Sequence, residues 1–375
     1  MEAFQQSGRN SLIERWCSYL SIEQETLATL QEFYWVMELH IDEVLGQLYT
    51  YLSTNPETAK FYQNEQSLLR AKSHQRAHLM GYLFRGDFGV DYYHATLRIG
   101  KTHHKLGIDF KLYSGAYCIV MQYLARAVNT TLIDCPEDAD RYLSALNRVI
   151  FMDMGIATAV YYDTVSVELE ELAYELNFAL AKAGEMRDNE TGEHIKRISR
   201  MSYALAQAIG QDSRWCKMIK IASPLHDVGK IGVPDDVLLK PGKLDEREWQ
   251  KMSQHPAIGG EIIPDNQSEL IRMARRIALT HHEKWDGTGY PAGLQGEEIP
   301  LEGRIVAICD VFDALLSVRP YKPAWSVEEA AGYLTQQRGQ HFDPQLLDVF
   351  LQHIDQMLHI RSQFADVVDT EFVAD

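Results

Sequence analysis

Apolar residues recur along almost the whole chain at the intervals of amphipathic α-helices rather than in the alternation of a half-buried strand. Glycine and proline are confined to short breaks between these helical segments, such as Thr54-Asn55-Pro56, Asp134-Cys135-Pro136 and Lys240-Pro241-Gly242. The pattern therefore predicts an all-α protein.

The pattern changes between residues 156 and 187, where the apolar positions become regular. They are separated by intervals of 4, 3, 4, 3 and 4 residues, with acidic residues clustered beside them, and they are Val165, Leu169, Leu172, Leu176, Ala179 and Ala183. Such a heptad is typical of a dimeric coiled coil, although a helix packed on its own domain is the alternative. We expect three parts: residues 1–157 as one domain, 158–187 as a linker helix, and 188–375 as a second domain.

Length and charge narrow the classes of protein. A chain of 375 residues predicts two or three domains, and 36 basic against 53 acidic residues give a net charge of −17. This charge repels nucleic acids and anionic lipid headgroups, so we expect no nucleic-acid partner. The scattered cysteines contain no CxxC pair, the first residues do not resemble a signal peptide, and no apolar run approaches about 20 residues. We therefore expect a cytoplasmic protein that does not contact the membrane.

Histidine and acidic residues are concentrated in the second half of the chain. The segments that carry them are Glu190–His194, His226–Lys230, His281–Glu283 with Asp286 nearby, Asp310 with Asp313, and the single His255. Taken alone, His255 can cap a helix end, and His226 with Asp227 can form a local hydrogen-bonded pair. Together they supply nitrogen and oxygen donors without sulfur, which favours iron or manganese over a structural zinc. Two such ions about 3.5–4 Å apart can acidify a water and hold both oxygens of a phosphoryl displacement.

The sequences around these donors carry a resemblance to a known family. HDVGKIGVP (residues 226–234), followed by HHEKWDGTGYP (281–291), closely resembles the HD-GYP family of cyclic di-GMP phosphodiesterases, a branch of the HD phosphohydrolases. RDNETGEHIKR (187–197), CDVFDAL (309–315) and RPYK (319–322) are also similar to motifs of that family, in the same order. The resemblance runs from about residue 180 to about residue 350.

The resemblance implies a set of metal ligands in the second domain. They are Glu190, His194, His226, Asp227, His255, His281, His282 and Asp310. Members of the family that lack the equivalent of Glu190 hold two metals, whereas those that have it can hold three. We therefore expect two to three non-heme iron or manganese ions, with a trinuclear centre favoured.

The resemblance also implies a cyclic dinucleotide substrate, which contains two phosphodiesters. Lys230 can place an ammonium on a non-bridging phosphate oxygen where negative charge builds up. Arg319 and Lys322 would hold the second phosphate. Gly289 and Tyr290 lie in the GTGYP loop, where we expect substrate contact, although the glycine can simply form a turn and the tyrosine can simply pack.

The mechanism that we expect is an in-line attack on phosphorus by hydroxide held between two ions. Asp227 would bridge these ions and thus act in catalysis together with Lys230. Asp313, one helical turn after Asp310, could orient a metal ligand.

The first domain contains a helical stripe with a histidine on its apolar face. The stripe consists of Leu97, Gly100, His103, Leu106 and Phe110, and a glycine one turn before the histidine permits close approach of a large group. RIGKTHHKLGIDFKLYSGAY (98–117) resembles the proximal segment of the globin domain of globin-coupled sensors. This resemblance implies heme b with His103 as the proximal ligand. His104 is the rival, but it lies off the apolar stripe.

A second segment of the first domain also resembles these globins. VLGQLYTYLSTNPETAKFY (44–62) is similar to their B helix and the corner that follows. The resemblance places Tyr49 on the distal side of the heme, where its phenol can donate a hydrogen bond to bound O2. We therefore expect O2 or another diatomic gas as a ligand, and a homodimer formed through the linker helix and the globin domain.

Three functions are compatible with these features. The first is a gas-responsive phosphodiesterase that hydrolyses cyclic di-GMP to pGpG, GMP or both, with a third metal favouring GMP. The second is a signalling adaptor without turnover, and the third is an HD-type phosphohydrolase for another nucleotide. The intact donors and Lys230 argue against the adaptor, and the GTGYP and RPYK segments favour cyclic di-GMP.

Overall fold

The computed structural model describes residues 12–185, 187, 192–318 and 324–365. Within these ranges the chain is built from helices, with two isolated β-bridges and no strand, so the predicted all-α class is confirmed. The chain divides into two compact units, Met1–Glu168 and Leu169–Asp375. This division lies inside the segment 158–187 that was predicted as the linker, and the exact predicted boundaries stay a prediction.

Among the described residues, from 12 onward, the N-terminal unit contains seven α-helices and most of an eighth. They are α1 (residues 12–19), α2 (Gln24–Glu32), α3 (Tyr34–Thr54), α4 (Pro56–Ala59), α5 (Glu65–Gly81), α6 (Val90–Lys105), α7 (Phe110–Thr131) and α8 (Pro136–Glu185). Side chains of Asn55, Asn64 and Asp109 accept hydrogen bonds from the first turns of α4, α5 and α7, which is why these helices begin there. The core of the unit is centred on the buried faces of α3, α5, α7 and α8.

Helix α8 is 50 residues long and continues from the N-terminal unit into the C-terminal unit. It contains an 18-residue window that is long and apolar enough to cross a membrane by composition, but half of that window is buried inside the protein. The core helix of a folded domain shows the same combination. Beyond Glu168 the apolar heptad positions Leu169, Leu172 and Leu176 are exposed by 60%, 55% and 62%.

The C-terminal unit contains the remaining helices. They are α9 (Gly192–Ala208), α10 (Ser213–Ala222), α11 (Asp235–Leu238), α12 (Glu246–Met252), α13 (His255–Ile262), α14 (Glu269–Thr280), α15 (Leu301–Leu315), α16 (Val327–Gln336), α17 (Pro344–Gln352) and α18 (Ile354–Gln363). Short 3₁₀ turns at Ser223–Leu225 and Val228–Gly232 connect α10 to α11. The core lies between α9, α10, α14 and α15. Among the described candidate ligands, His194 lies on α9 and Asp310 on α15, His281 and His282 follow α14, His255 begins α13, and His226 and Asp227 lie between the two 3₁₀ turns.

Gly229 brings the turn Val228–Gly232 against the first turn of α13. A Cβ atom at this position would lie 1.9 Å from the carbonyl oxygen of His255 and 2.5 Å from the backbone nitrogen of Gly259. Any side chain would therefore separate the two segments. This close approach places the residues on both sides of Gly229 next to the start of α13.

Candidate metal centre and heme site

Four of the predicted metal ligands form one cluster in the C-terminal unit. Asp227, His255, His281 and His282 each offer a donor atom, and these atoms all lie within 4.8 Å of one another. The Nε2 atoms of His255 and His281 are 3.4 Å apart, and Oδ1 of Asp227 lies 3.2 Å and 3.3 Å from them. The four residues come from different parts of the chain, yet their donor atoms lie close enough together to bind one ion.

Three further predicted ligands form a second cluster. His194 on α9, His226 after the turn Ser223–Leu225, and Asp310 on α15 have donor atoms within 4.8 Å of one another. Nε2 of His194 lies 3.6 Å from Oδ1 of Asp310, and the rings of His194 and His226 are 5.7 Å apart.

The two clusters meet at the adjacent residues His226 and Asp227. Nε2 of His226 lies 3.4 Å from Oδ2 of Asp227, while Oδ1 of the same carboxylate faces His255 and His281. One carboxylate therefore directs one oxygen toward each cluster. This is the arrangement that a ligand bridging two ions needs.

The imidazoles share an orientation that prepares them for an ion. Nδ1 of His226 lies 3.0 Å from the carbonyl oxygen of Ser223, Nδ1 of His255 lies 2.8 Å from that of Met252, and Nδ1 of His281 lies 3.1 Å from that of Ile277. A carbonyl oxygen can only accept a hydrogen bond, so Nδ1 carries the proton in each case. In the neutral tautomer the lone pair is then on Nε2, which faces the cluster.

His194 has a carboxylate in place of a carbonyl. Its Nδ1 lies 2.8 Å from Oδ2 of Asp313, which is fully buried on α15. Arg197 donates to both oxygens of Asp313 at 2.8–3.1 Å, and Arg361 on α18 also donates to this carboxylate. The hydrogen bond from His194 and the guanidinium of Arg197 overcome the effect of burial and lower the pKa of Asp313 to about 2. Asp313 is thus an ionised acceptor that orients His194.

The electrostatics of the clusters keep two imidazoles neutral and one carboxylate ionised. Burial lowers the pKa of His281, and burial together with His281 and His255 lowers that of His282 well below its usual range. Burial alone would raise the pKa of Asp227, but Lys230 and His226 outweigh it and hold the pKa well below normal. Neutral imidazole and ionised carboxylate are the forms that bind a cation.

His226 differs from its neighbours. Its burial lowers the pKa, but the carboxylate of Asp227 more than offsets this and raises the pKa of His226 to about 9. A cation bound by Nε2 of His226 would therefore compete with a proton. Uptake of an ion at this site should release a proton.

These observations fit a pair of divalent cations. Nε2 of His226 and Oδ1 of Asp227 are buried and have no hydrogen-bond partner among the described residues, which is costly unless another group binds them. The donors are nitrogen and oxygen atoms only, a set suited to iron or manganese.

Lys230 lies beside the junction of the two clusters. Its Nζ is 2.9 Å from Oδ2 of Asp227, and only 11% of its side chain is exposed. Arg187 donates hydrogen bonds to the carbonyl oxygens of Lys230, at 3.3 Å, and of Val233, at 2.8 Å. The backbone that carries Lys230 is therefore held in place by the side chain of Arg187, which the sequence alone did not single out.

The GTGYP loop folds back onto the second of the two adjacent histidines. The backbone N–H of Tyr290 donates to the carbonyl oxygen of His282 at 3.2 Å, and their rings are stacked with centroids 4.8 Å apart. A Cβ atom on Gly289 would lie 2.3 Å from the backbone nitrogen of Lys284, so this glycine allows the close approach. Substrate contact by Gly289 and Tyr290 stays a prediction.

Two acidic residues near this loop accept hydrogen bonds from its backbone N–H groups. Glu283 is buried and accepts hydrogen bonds from the N–H groups of Ala292 and Leu294. Asp286 accepts from the N–H and hydroxyl of Thr288. Both were part of the acidic pattern in the sequence, and the structure gives them roles in shaping the loop.

Three predicted site residues lie outside the described residues. They are Glu190, the expected ligand of a third ion, and Arg319 and Lys322, the expected contacts of the second phosphate.

In the N-terminal unit, His103 lies near the end of α6 beside a small pocket of about 10 Å³, lined by Gly100, Ile108, Tyr113 and Tyr161 among others. Nδ1 of His103 lies 2.8 Å from the carbonyl oxygen of Ile99, which leaves the lone pair on Nε2. Burial lowers the pKa of the ring, so it is neutral. This imidazole has the tautomer and the charge of an axial heme ligand. A pocket of about 10 Å³ has room for about one water, so the side chains around it would have to move apart to admit a heme.

The stripe that predicted this site is only partly buried. Leu106 and Phe110 are exposed by 48% and 49%, and Phe110 lines the cavity. What approaches Gly100 is helix α8, because a Cβ atom there would lie 2.8 Å from the carbonyl oxygen of Ala157 and 2.8 Å from the side chain of Val160. Gly100 therefore allows close contact between α6 and α8. This contact alone accounts for a glycine at this position, without the larger group that the sequence suggested.

The two adjacent histidines have different partners. His104 has its Nε2 2.8 Å from a carboxylate oxygen of Glu168 on α8, and its ring contacts Tyr161. The ring of His103 instead contacts Tyr113, whose hydroxyl lies 3.1 Å from that of Tyr117. The contact with Glu168 occupies Nε2 of His104, and His103 as the proximal ligand stays a prediction.

Tyr49 lies on α3 and is buried to 6% exposure. Its ring contacts that of Tyr62 with centroids 6.0 Å apart, and burial raises the pKa of its phenol above the usual range. The side chain is therefore a neutral phenol that can donate a hydrogen bond. Its place on the distal side of a heme stays a prediction.

Two known family models match separate parts of the chain. Residues 9–166 match the family model described as Protoglobin, and residues 179–346 match the model described as HD domain.

Curated relatives with known names match over part of their length. The 3′3′-cGAMP-specific phosphodiesterase 2 of Vibrio cholerae is 48% identical over 229 residues, which cover 60% of this chain and 44% of that protein. The cyclic di-GMP phosphodiesterase response regulator RpfG of Xanthomonas campestris is 48% identical over 198 residues, covering 53% of this chain and 52% of the relative. A cyclic di-GMP phosphodiesterase of Vibrio cholerae is 45% identical over 201 residues, covering 50% and 41%. The chain spans about half the length of these relatives.

Proposed function

We propose that the chain, which matches the Protoglobin model in one part and the HD domain model in the other, is a metal-dependent cyclic di-GMP phosphodiesterase whose activity responds to a diatomic gas such as O2. The observation that carries the proposal is the junction of the two donor clusters at Asp227, whose two oxygens face different clusters. We expect the protein to act in the cytoplasm, where its five free cysteines would stay reduced.

The metal site supplies the chemistry of phosphodiester hydrolysis. Two neighbouring divalent ions, when bound, acidify a water and neutralise charge on the phosphoryl group. His194, His226 and Asp310 would hold one ion, and His255, His281 and His282 the other, with Asp227 between them. These donors favour iron or manganese. Glu190 would serve as a ligand of a third ion.

The other residues of the site position the substrate. Lys230 places its ammonium beside the junction, where it can stabilise charge on a non-bridging phosphate oxygen. Tyr290 lies against His282, so its ring can contact the dinucleotide next to the reacting phosphate. Arg319 and Lys322 would hold the second phosphate. The products would be pGpG, GMP or both, and a third ion favours GMP.

Two alternatives differ from this proposal. One relative is named as specific for 3′3′-cGAMP, so a mixed cyclic dinucleotide is the competing substrate. The other alternative is an adaptor without turnover. The adaptor is disfavoured because seven converging donors, most of them buried, serve no purpose in a surface that only binds partners.

A substrate panel tests the function. The purified full chain, loaded with Mn²⁺ or anaerobically with Fe²⁺, is supplied with cyclic di-GMP, 3′3′-cGAMP and GTP, and the products are separated by ion-exchange chromatography. We expect the highest kcat/KM for cyclic di-GMP. A tenfold preference for 3′3′-cGAMP would support the competing substrate, and a fully metallated chain that hydrolyses none of them would support the adaptor.

The heme proposal rests on His103, and the adjacent histidine provides a matched control. We expect His103→Ala to lower heme content about tenfold, because an axial bond to iron is lost, whereas His104→Ala should retain heme. The measurement is the Soret absorbance relative to protein, with and without added imidazole, which should restore the spectrum of His103→Ala. If His104→Ala loses heme and His103→Ala does not, His104 is the proximal ligand and the proposal for His103 is wrong.

Two contacts support a route from the heme site to helix α8. His104, adjacent to the proposed ligand, pairs with Glu168 on α8. On the other side, Tyr113 contacts His103 and reaches Tyr117, whose hydroxyl donates to Asp153 on α8 at 2.7 Å. A shift of His103 on gas binding would therefore act on α8 at two points, and α8 continues into the catalytic half.

Glu168→Gln tests this route without touching the heme. The exposed His104–Glu168 pair contributes about 0–1 kcal/mol, so we expect the ratio of hydrolysis rates between the ferrous-O2 and ferrous forms to change by about two- to fivefold. The Soret spectrum should stay the same. Glu175→Gln, an exposed acid on the same helix, is the matched control, and an unchanged ratio in Glu168→Gln would exclude the pair from the route.

The exposed heptad positions support a homodimer. Leu169, Leu172 and Leu176 leave a large apolar stripe uncovered on α8, and a second copy of the same helix fits this spacing. We propose a dimer through the linker helix and the globin domain. Light scattering of the full chain should give twice the mass of one chain, and Leu172→Glu should lower it to that of a monomer.

A further inference from the structure

Trp249 lies at the edge of the candidate metal site, although no motif in the sequence pointed to it. It is on α12, and its ring centroid is 5.7 Å from that of Tyr290, with an angle of 77° between the two planes. Tyr290 is in turn stacked on His282, at 4.8 Å. The three rings thus form an aromatic surface that leads outward from a metal ligand.

Helix α12 is fastened to the metal site at its other end. The carbonyl oxygen of Met252, the last residue of α12, accepts the hydrogen bond of His255 Nδ1 at 2.8 Å. The helix begins with a capping box between Asp245 and Glu248, which fixes its first turn. Trp249 is therefore held on a short, anchored helix at a fixed distance from the clusters, as a preorganised binding residue should be.

The exposure of Trp249 has no explanation in the packing of the unit. The side chain is 49% exposed, whereas Trp215, Trp285 and Trp325 in the same unit are all less exposed. A T-shaped contact covers at most one face of the indole, so part of the ring next to Tyr290 is open to solvent. What distinguishes Trp249 is its contact with Tyr290 beside the donor clusters, where the two rings together offer an aromatic surface on which a base can stack.

We propose that Trp249 stacks on a purine base of the substrate and thereby helps to select a dinucleotide over a simple phosphodiester. The inference rests on the proposed function. When a phosphate of the substrate lies between the clusters and Lys230, its ribose and base must extend outward, and the surface formed by Tyr290 and Trp249 is aromatic. Stacking on an aromatic side chain is favourable for every base because each has a π-face.

Substitutions of Trp249 separate stacking from simple packing. In the full chain loaded with Mn²⁺, we expect Trp249→Ala and Trp249→Leu to raise KM for cyclic di-GMP about tenfold, equivalent to about 1.4 kcal/mol. The value of kcat should stay within about twofold. Trp249→Phe should keep KM within about threefold of wild type because it retains a π-face. Leucine fills similar apolar space without one, so it distinguishes the two roles.

Two controls complete the experiment. Trp35→Ala removes an equally exposed tryptophan, also 49%, from the N-terminal unit and should leave both constants unchanged. Hydrolysis of methyl 4-nitrophenyl phosphate, which has no purine, should be equal in wild type and Trp249→Ala. The inference is wrong if Trp249→Leu behaves like Trp249→Phe, or if Trp249→Ala lowers kcat for both substrates with KM unchanged.

The outcome remains interpretable if the proposed function fails. A metallated wild-type chain that binds cyclic di-GMP without hydrolysing it would end the phosphodiesterase proposal. In that case the Kd from calorimetry decides the role of Trp249, and we expect Trp249→Ala to raise it about tenfold. An equal Kd in the two proteins would overturn the stacking role alone.

Discussion

Asp227→Asn should abolish hydrolysis of cyclic di-GMP, with a loss of at least about a thousandfold in kcat, and should remove most of the bound non-heme metal. The reason is that the two oxygens of Asp227 face different donor clusters: Oδ1 lies 3.2 Å from His255, and Oδ2 lies 3.4 Å from His226. Asparagine has nearly the same shape, but it lacks the charge and presents an N–H₂ group to one ion. One ion would therefore lose its ligand, and the other would keep only a neutral amide oxygen in place of a charged carboxylate oxygen.

The measurement is metal content by mass spectrometry together with the rate of hydrolysis. Asp236→Asn is the matched control, because the side chain of Asp236 is 73% exposed on α11 and lies outside both clusters. Circular dichroism should give the same helix content for all three proteins. Full activity with full metal content in Asp227→Asn would show that the carboxylate does not bridge the ions.

The sequence contained enough information to predict the kinds of residue at the metal site but not their grouping. His226 with Asp227, and His281 with His282, are adjacent in the chain, so their importance was visible in short motifs. Which donors share an ion depends on tertiary structure: the oxygen of Asp227 faces His255 and His281, which lie far along the chain on other elements. Asp313 could be predicted because one helical turn separates it from Asp310.

Residues that act through other residues were harder to predict. Arg197 and Arg361 both donate to Asp313, and Arg187 holds the backbone of Lys230. An arginine on a helix is usually a surface residue, and periodicity alone cannot identify the few that are buried against a carboxylate. Arg197 is only 2% exposed, and its position on the inner face of α9 is evident only after the helices are packed.

In the N-terminal unit, sequence spacing likewise failed to predict which side chains are exposed. The predicted helical stripe drew attention to His103, whose role stays a prediction. Helix α6 ends at Lys105, so Leu106 and Phe110 of the same stripe lie outside it, and both are about half exposed. The heptad on α8 was also recognised from its spacing, while the exposure of Leu172 could be found only from the structure. Spacing predicts which residues share a face, and what covers that face depends on the rest of the molecule.

Lys230→Met should lower kcat for cyclic di-GMP about 10²- to 10³-fold while leaving the metal content intact. The ammonium of Lys230 lies 2.9 Å from Asp227 at the junction of the clusters, and 11% of the side chain is exposed. A donor placed where charge develops on a phosphate oxygen contributes about 2.7–4 kcal/mol to transition-state stabilisation. The methionine side chain has a similar length but no charge, so packing around the 3₁₀ turn Val228–Gly232 should be retained.

The alternative role for Lys230 is to neutralise Asp227 and so assist metal binding. The two roles predict different results, because a lysine needed only for Asp227 would change metal content, and one that contacts the phosphate would change kcat per metal-loaded site. Lys230→Arg keeps the charge and should recover part of kcat, whereas Lys251→Met, 53% exposed on α12, should match wild type. If Lys230→Met keeps its full kcat once the sites are filled with Mn²⁺, the lysine does not stabilise the transition state.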